Sequence, residues 1–428
     1  MGESGEPREA RSADGGTAPA ERTPIGDALL RNDAPLSPKG GRVSARSTSM
    51  KPASVADYRE AARRRLPRVL FDYIDGGSYA EETLAANVSD IGALKLRQRV
   101  LRDVSKLSTG TELFGQSLSM PVVLSPVGLA GMYARRGEAQ AAKAAKAAGV
   151  PFTLSTVGVC TAEEVAAAAG TPPWFQLYMT RDRGFMAEVL ASIAALGCPV
   201  LVFTVDLPVP GTRYRDVRNG MVATTNAQRF SQAMDGVLHP EWLWDVHLNG
   251  RPHTLGTVAD AAKDLKRLVE FWTWIGRNFD ASVTWDDIAW LRGQWKGPIL
   301  LKGVLDVADA RIAADLGVEG IVVSNHGGRQ LDGAPSSIHA LPPIAQAVGD
   351  KVSVLMDGGV RSGLDVLKAM ACGAKACLIG RAWAWSLGAR GEAGVAHMLQ
   401  ILRQELRVAM ALTGCVDVNS ASADLLAD

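Results

Sequence analysis

From residue 120 onward, short apolar runs rich in β-branched residues alternate with longer stretches that have helical spacing. The segments GEAQAAKAAKAAG (137–149) and DVADARIAADLG (306–317) are typical of the helical stretches. The apolar runs lack the in–out alternation of half-exposed strands, which predicts buried parallel strands. There are eight such runs, over residues 120–126, 151–156, 174–178, 200–206, 298–303, 320–325, 352–359 and 376–380.

Eight strand–helix units predict an α/β fold of the closed (β/α)8 TIM barrel type rather than an open doubly wound sheet. An open sheet that binds a dinucleotide would carry GxGxxG after its first strand, and SPVGLAGMY (125–133) does not match that pattern. Residues 50–119 are expected to form an N-terminal helical lead-in that either covers the bottom of the barrel or reaches over its rim. The barrel domain is therefore expected to span residues 50–420.

The strand–helix rhythm is interrupted after the fourth predicted strand by a long insertion at about residues 207–296, where a βα unit needs only about 30 residues. One interpretation is a packed helical subdomain, because aromatic residues usually lie in cores. The alternative is a surface for a membrane interface or a redox partner. The insertion holds seven of the ten tryptophans, namely Trp242, Trp244, Trp272, Trp274, Trp285, Trp290 and Trp295.

Residues 1–49 differ in composition from the rest of the chain. They contain no aromatic residue, are rich in Gly, Pro, Ala, Ser and Arg, and carry balanced charges. They lack the apolar centre of a signal peptide, and their acidic residues argue against a transit peptide. We therefore predict a disordered tail. Met50 directly precedes the first folded-looking stretch, which suggests the hypothesis that translation starts there; an intact mass beginning at Met1 would contradict it.

The composition excludes several functional classes. Apolar residues make up 47% and charged residues 21% of the 428 residues, as in ordinary globular proteins, and 46 Lys plus Arg balance 45 Asp plus Glu. Nucleic-acid binding is not expected without a basic stripe. No Cys or His cluster has metal-ligand spacing, so no metal is expected. The five cysteines are scattered, which indicates reduced thiols in a cytoplasmic protein.

Polar residues close nearly every predicted strand. In barrel enzymes the catalytic groups project from the carboxyl ends of the strands, so we expect these residues to form one site. They are Ser155, Gln176, Tyr178, Thr204, Asp206, Lys302, His326, Arg329, Asp357, Arg361 and Arg381.

The last two predicted strands are followed by the segments MDGGVRSG (356–363) and LIGRA (378–382). In such barrels the loops after strands seven and eight commonly bind phosphate, because glycine amides and arginines can surround a dianion. Each motif alone is weak, since DGG is also a common turn, but the two on adjacent strands support each other. They supply Asp357, Gly358, Gly359, Arg361, Gly380 and Arg381.

His326, in SNHGGRQLD (324–332), is the histidine of the six that lies at a strand end among other polar groups. It could be a loop residue that only caps a turn. However, Arg329 follows three residues later and Asp206 ends another strand. A histidine oriented by a carboxylate can take a substrate proton near neutral pH, and a nearby arginine can hold a substrate carboxylate.

With these residues in place, residues 50–420 closely resemble the FMN-dependent L-2-hydroxy-acid dehydrogenases and oxidases. The segments FDYIDGGSYAEETL (71–84), WFQLYMTRDRGFM (174–186) and FTVDLPVPGTRYRDVRNGM (203–221) resemble the respiratory L-lactate dehydrogenase branch in particular. SNHGGRQLD, DGGVRSG and the IGR segment occur in order on the expected strands, so the resemblance is specific.

The resemblance implies a role for each matching residue. His326 would be the catalytic base, paired with Asp206. Arg213, Arg329, Tyr73 and Tyr178 would bind the substrate. The flavin ring would contact Pro126, Val127, Gly128, Ser155, Gln176, Thr204, Lys302 and Ser324, and the ribityl phosphate would be held by Asp357, Gly358, Gly359, Arg361, Gly380 and Arg381.

Lys302 has two interpretations, because it lies inside the apolar run ILLKG. It could form a buried structural salt bridge, or it could be a cation beside the flavin ring that stabilises the negative charge of the reduced cofactor.

The chain departs from the plant-type glycolate oxidase pattern at Val157, where that pattern has Trp, and at Gly128, where it has Ala. A smaller wall at Val157 leaves room for a methyl group, which favours L-lactate over glycolate. The implied reaction oxidises L-lactate to pyruvate and passes the electrons to a quinone or a cytochrome. Peripheral contact with the cytoplasmic face of the inner membrane and a homo-tetramer are also implied.

Three rival functions remain open at this level. The nearest is an oxidase or monooxygenase that uses O2 on glycolate, lactate or mandelate. Another is an FMN barrel isomerase or reductase, which would lack the His–Arg–Asp set. The third is a flavin-binding protein without turnover.

Overall fold

The computed structural model describes residues 52–221, 225–258 and 270–427, with the backbone alone at 270–273. The described residues belong to one compact unit. The predicted tail at 1–49 lies outside them, as do the side chain of Trp272 and the start-site hypothesis at Met50.

Eight parallel strands form the predicted barrel. Their hydrogen-bonded order follows the chain, and a parallel bridge between Leu124 and Phe152 joins the first strand to the second. All eight predicted strands are confirmed; seven are shorter than their apolar runs, and the strand predicted at 298–303 has the same length but lies one residue later. The strands are β3 (Val122–Leu124), β4 (Thr153–Ser155), β5 (Trp174–Leu177), β6 (Leu201–Thr204), β7 (Ile299–Val304), β8 (Gly320–Val323), β9 (Ser353–Asp357) and β10 (Ala376–Ile379).

Helices follow the strands and pack on the outside of the barrel. Several begin at a side-chain cap, because an Asp, Ser or Thr oxygen accepts a backbone N–H of the first turn; Asp306, Ser336 and Ser362 do this. These helices are α4 (Gly137–Ala148), α5 (Ala162–Ala169), α6 (Arg183–Ala195), α12 (Val307–Asp315), α13 (Ser337–Val348), α14 (Gly363–Ala371) and α15 (Arg381–Thr413), the last with a kink at Arg390 and Gly391.

The N-terminal lead-in both reaches over the rim of the barrel and covers its opposite end, which are the two placements that the sequence left open. Its helices are α1 (Val55–Arg65), α2 (Arg68–Asp75) and α3 (Glu82–Ala93), and α2 brings Tyr73 to the carboxyl ends of the strands. A hairpin of β1 (Thr111–Leu113) and β2 (Gln116–Leu118), which the sequence pattern did not predict, covers the opposite end. Leu113 and Leu118 join the apolar cluster that fills the barrel interior.

The insertion is largely helical, as one interpretation predicted. Its helices are α7 (Tyr214–Arg218), α8 (Asn226–Leu238), α9 (Pro240–Trp242), a π-helical turn at Leu243–Leu248, α10 (Glu270–Asn278) and α11 (Asp287–Gln294). Trp242, Trp274 and Trp295 are buried, whereas Trp244 is 68% exposed. Most of the described tryptophans therefore pack into the fold, and one does not.

Among the described residues, no group of side chains has a geometry that could hold a metal ion, and no helix is both long and apolar enough to cross a membrane. All five cysteines are free thiols, as expected from their scatter.

Candidate active site

The carboxyl ends of the strands surround a cleft, which we call the active-site cleft. Most of the predicted site residues line it: Tyr73, Pro126, Val127, Gly128, Tyr178, Arg213, Lys302, His326, Arg329, Asp357, Gly358, Gly359, Arg361, Gly380 and Arg381.

His326 lies in this cleft on a strained backbone. It has φ of 59°, and Gly327 and Gly328 continue in the same left-handed region. Glycine is required at 328, because a Cβ there would lie 2.5 Å from the backbone nitrogen of Leu84. The glycine pair thus lets the loop turn tightly after β8 and present the imidazole to the cleft.

Asp206 orients that imidazole. Its Oδ1 lies 2.9 Å from His326 Nδ1, and Gln330 donates to its carbonyl oxygen. Glycine at 303 makes this placement possible, since a Cβ there would lie 2.5 Å from the Asp206 Cβ. A carboxylate can only accept, so Nδ1 donates and Nε2 is left free to take a proton.

The charge states of this pair suit a base. Burial lowers the pKa of His326, and Lys302 lowers it further, while Asp206 acts in the opposite direction. Burial raises the pKa of Asp206, but His326 and Lys302 more than offset it, so the pKa of this carboxyl is lowered. A neutral imidazole beside an ionised carboxylate follows.

Tyr73 lies between two arginines at the rim of the same cleft. The guanidinium carbons of Arg329 and Arg213 lie 5.0 and 5.8 Å from its ring centre. Arg329 Nη1 donates to the carbonyl oxygens of Tyr73 and Gly76, which fixes the end of α2. The hydroxyl of Tyr178 lies 3.5 Å from His326 Nε2.

Arg213 is buried, and burial together with the neighbouring Arg329 lowers its pKa to about 10. Its nearest acid is Asp216, at 3.8 Å. Two adjacent guanidinium groups repel each other, so an anion bound between them would be stabilised.

The predicted phosphate segments come together because β9 and β10 are neighbours. Burial lowers the pKa of Arg361 to about 10, and this guanidinium packs over Trp385. Gly359 has φ of 86°, and a Cβ there would meet the carbonyl oxygen of Asn87 at 2.0 Å. Arg381 begins α15, but its guanidinium donates to the carbonyl oxygens of residues 75, 76 and 327.

The structural interpretation of Lys302, a buried salt bridge, is confirmed, and its role beside the flavin ring stays a prediction. Its Nζ forms a buried ion pair with Asp357 Oδ2 at 3.0 Å and donates to Ser324 Oγ, and it also lines the cleft. Burial lowers its pKa, while Asp357 and Asp206 outweigh that effect and raise it, so the amine stays charged.

Four expected flavin contacts, Ser155, Gln176, Thr204 and Ser324, lie buried at the strand ends rather than in the lining of the cleft. Ser155 donates to Gln176 Oε1. Gln176 Nε2, Thr204 Oγ1 and Asp357 Oδ1 have no hydrogen-bond partner among the described residues. Unpaired buried polar atoms beside glycine-lined backbone and a buried arginine fit a planar, phosphorylated cofactor.

Sequence reasoning missed several residues of the cleft. Leu207, Ile275 and Phe279 come from the insertion, and Tyr133 donates from its hydroxyl to the carbonyl oxygen of Gly128. Phe279 reaches the cleft because Thr180 pairs with it in an antiparallel bridge. Tyr133, a few residues after the first strand, and Leu207, next to Asp206, lie close to predicted strand ends in the sequence.

Comparisons with known proteins agree with this geometry. The L-lactate dehydrogenase of Caulobacter sp. (strain K31) is 59% identical over 375 residues, which cover 88% of this chain and 98% of that protein. The L-lactate dehydrogenase of Alcaligenes faecalis is 54% identical, with 87% of this chain and 98% of that protein covered. Among solved structures, the monotopic membrane protein (S)-mandelate dehydrogenase has a TM-score of 0.81 at 35% identity, covering 88% of this chain and 100% of the other.

A mandelate oxidase structure has a TM-score of 0.74 at 39% identity, covering 88% and 98% of the two chains. The family described as FMN-dependent dehydrogenase matches residues 62–428. The chain belongs to the FMN-dependent dehydrogenase family, and its cofactor is FMN.

Proposed function

We propose that this protein oxidises L-lactate to pyruvate with bound FMN and passes the electrons to a quinone or a cytochrome. The observation that carries the proposal is the 2.9 Å pairing of His326 with Asp206 at a cleft that also holds Arg329 and the buried Arg213. A carboxylate-oriented base beside a cationic pocket suits a 2-hydroxy acid, whose carboxylate is anchored while its hydroxyl loses a proton.

FMN, when bound, supplies the electron-accepting ring that the protein lacks. Arg361, Gly358, Gly359 and Gly380, with Arg381 at the start of α15, are the groups that would hold its phosphate and ribityl chain. Lys302 would lie beside the ring and offset negative charge there. Pro126, Val127 and Gly128 would supply the backbone that flanks the ring.

The substrate would be oriented by side chains on three elements. Arg213 and Arg329 would hold its carboxylate, with Tyr73 and Tyr178 as hydroxyl donors at the rim. The hydroxyl hydrogen would pass to His326 Nε2, and Asp206 would stabilise the imidazolium that forms. Phe279 and Leu207 would cover this region and exclude water.

The wall of the cleft favours a small substrate side chain. Val157 and Gly128 both line the cleft and lie against each other. These two small residues therefore set the width of the cleft at this wall. The relatives named L-lactate dehydrogenase are also more similar to this chain than the mandelate-acting structures are.

An O2-using oxidase of 2-hydroxy acids is the second candidate, favoured by the same small residues, which leave access for oxygen. The two candidates differ in one measurement: the rate at which O2 and a quinone analogue reoxidise the reduced enzyme. A faster reaction with the quinone analogue is expected.

Peripheral membrane contact is part of the proposal. On α8, Phe230, Met234, Val237 and Leu238 form a stripe at helical spacing that points to solvent, and Phe230 is 70% and Leu238 73% exposed. An outward apolar stripe of this kind suits the interface of a bilayer. Trp244, in the turn that follows, extends the apolar surface.

A homo-tetramer, a barrel domain over residues 50–420 and a cytoplasmic location also remain predictions. Light scattering of the purified holoenzyme tests the first of these. The function itself is tested by adding L-lactate anaerobically and following the flavin absorbance. Bleaching with L-lactate is expected, and its absence with lactate, glycolate and mandelate alike would contradict the proposal.

A further inference from the structure

A second pocket adjoins the active-site cleft, and we call it the acceptor pocket. It lies between the ends of β5, β6 and β7 and the segment that leads into α11. Met179, Phe203, Val283, Trp285 and Ile288 form its apolar walls. None of the catalytic or carboxylate-binding roles proposed above uses these five residues.

The two pockets share a wall of side chains. Tyr178, Leu207 and Phe279 line both of them. The rings of Tyr178 and Phe279 lie 5.0 Å apart at their centres, and the Tyr178 hydroxyl is the group that faces His326. A molecule in the acceptor pocket would therefore be separated from the active-site cleft by a single layer of side chains.

The charges of the two pockets are opposite in kind. The active-site cleft contains Lys302 and four arginines, whereas the described lining of the acceptor pocket contains no Lys, Arg or His. Its charged residues are the two carboxylates of Asp280 and Asp309, the first of which is paired with Arg183 at 2.7 Å. An anionic hydroxy acid would be repelled there, but a neutral apolar ring would not.

We infer that the acceptor pocket binds the ring of a quinone, at a site separate from that of the hydroxy acid. This inference rests on the proposed dehydrogenase function, and it assigns a binding site to the electron acceptor of that reaction. The reaction balances without another reactant: the hydroxy acid loses two electrons and two protons to become the oxo acid, and the quinone gains both to become the quinol.

The first test measures binding to the oxidised holoenzyme and needs no turnover. A redox-inert quinone mimic, a 4-hydroxyquinoline N-oxide, is titrated with and without saturating oxalate, a non-oxidisable dianion for the arginine-lined cleft. Separate sites predict a Kd for the mimic that changes less than twofold. Competition between the two ligands, or no binding of the mimic, would overturn the inference.

The second test narrows the pocket. Val283→Phe places a ring into it, and Val408→Phe on α15, a partly exposed valine that lines neither pocket, is the matched control. We expect Val283→Phe to slow reoxidation by a short-chain ubiquinone analogue at least tenfold, while anaerobic flavin reduction by L-lactate changes less than twofold. Wild-type reoxidation in Val283→Phe would overturn the inference.

Should Val283→Phe fail to fold, Val283→Ala gives the complementary result. The enlarged pocket should weaken binding of the quinoline mimic and leave the Kd of oxalate unchanged; an unchanged Kd of the mimic would overturn the inference. If L-lactate does not bleach the wild-type flavin, the proposed function fails instead, and the binding measurement distinguishes that outcome.

Discussion

Gly128 and Val157 are so close that a Cβ at position 128 would lie 2.8 Å from Cγ2 of Val157. Real Cβ contacts are longer than this, and Val157 is buried, so it has little room to move. The two positions are therefore coupled: a larger residue at one requires a smaller residue at the other.

We predict that Gly128→Ala impairs lactate oxidation and that a second change restores it. The added methyl would displace the Val157 wall beside the substrate, and this misplacement should lower kcat/KM for L-lactate roughly tenfold. In Gly128→Ala/Val157→Ala the clashing methyl is gone and kcat/KM should recover. Steady-state kinetics of the two variants and of Val157→Ala alone measure this, and full activity of Gly128→Ala would show that the two residues are not coupled.

Asp206→Asn should slow the chemical step of flavin reduction while leaving the binding of a substrate analogue nearly unchanged. The amide can still accept from His326 Nδ1 but cannot stabilise the imidazolium, so anaerobic flavin reduction should slow by roughly 10²-fold or more. The Kd of oxalate should change less than about threefold, because Asp206 lies behind the imidazole. Asp315→Asn, at an exposed ion pair with Lys351, is the control. Unchanged reduction in Asp206→Asn would remove this residue from the mechanism.

The pH dependence of flavin reduction should reflect the lowered pKa of His326. A base whose pKa is lowered stays neutral further into acid, so the rate should be constant down to below about 6.5, the ordinary histidine value, and then decline. In Asp206→Asn the acid limb should shift to still lower pH, because the carboxylate raises the pKa of His326. Stopped-flow rates of flavin reduction across pH 4.5–8.5 test both predicted directions. A decline of the rate that sets in above pH 6.5 would contradict them.

The apolar stripe on α8 should contribute to membrane binding. Burial of one large apolar side chain is worth about 1.5–3 kcal/mol, so Phe230→Ser/Leu238→Ser should weaken binding to lipid vesicles at least tenfold. Leu412→Ser on α15, at another exposed leucine, should have no effect. Vesicle co-sedimentation measures this. A wild-type protein that stays in the supernatant with vesicles would show that the stripe has another role.

The sequence predicted the barrel well because its strands are buried on both sides and read as continuous apolar runs. It did not predict the hairpin β1–β2, whose strands have three residues each and are too short to show a period. At the site, His326, Asp206 and Arg329 were found because each follows a strand or lies in its loop. Phe279 was missed because the insertion approaches the cleft through tertiary contacts that no local pattern records. Leu207 directly follows Asp206 and was missed because an apolar side chain gives no chemical signal there.

The same limit explains why the hydrogen bonds of Arg381 were not predicted. Arg381 was expected at a phosphate from its place after β10, and nothing in the sequence indicated that its guanidinium donates to carbonyl oxygens at the end of α2. That contact depends on the position of the N-terminal lead-in, which lies about 300 residues earlier in the chain.

We propose that His326, oriented by Asp206, is the base in the oxidation of L-lactate. Anaerobic stopped-flow reduction of the flavin, compared between the wild type and His326→Gln, measures this role. We expect the variant to retain FMN, to bind oxalate and to be reduced by L-lactate roughly 10²–10⁴-fold more slowly than the wild type. Reduction of the FMN-loaded variant at close to the wild-type rate would contradict it.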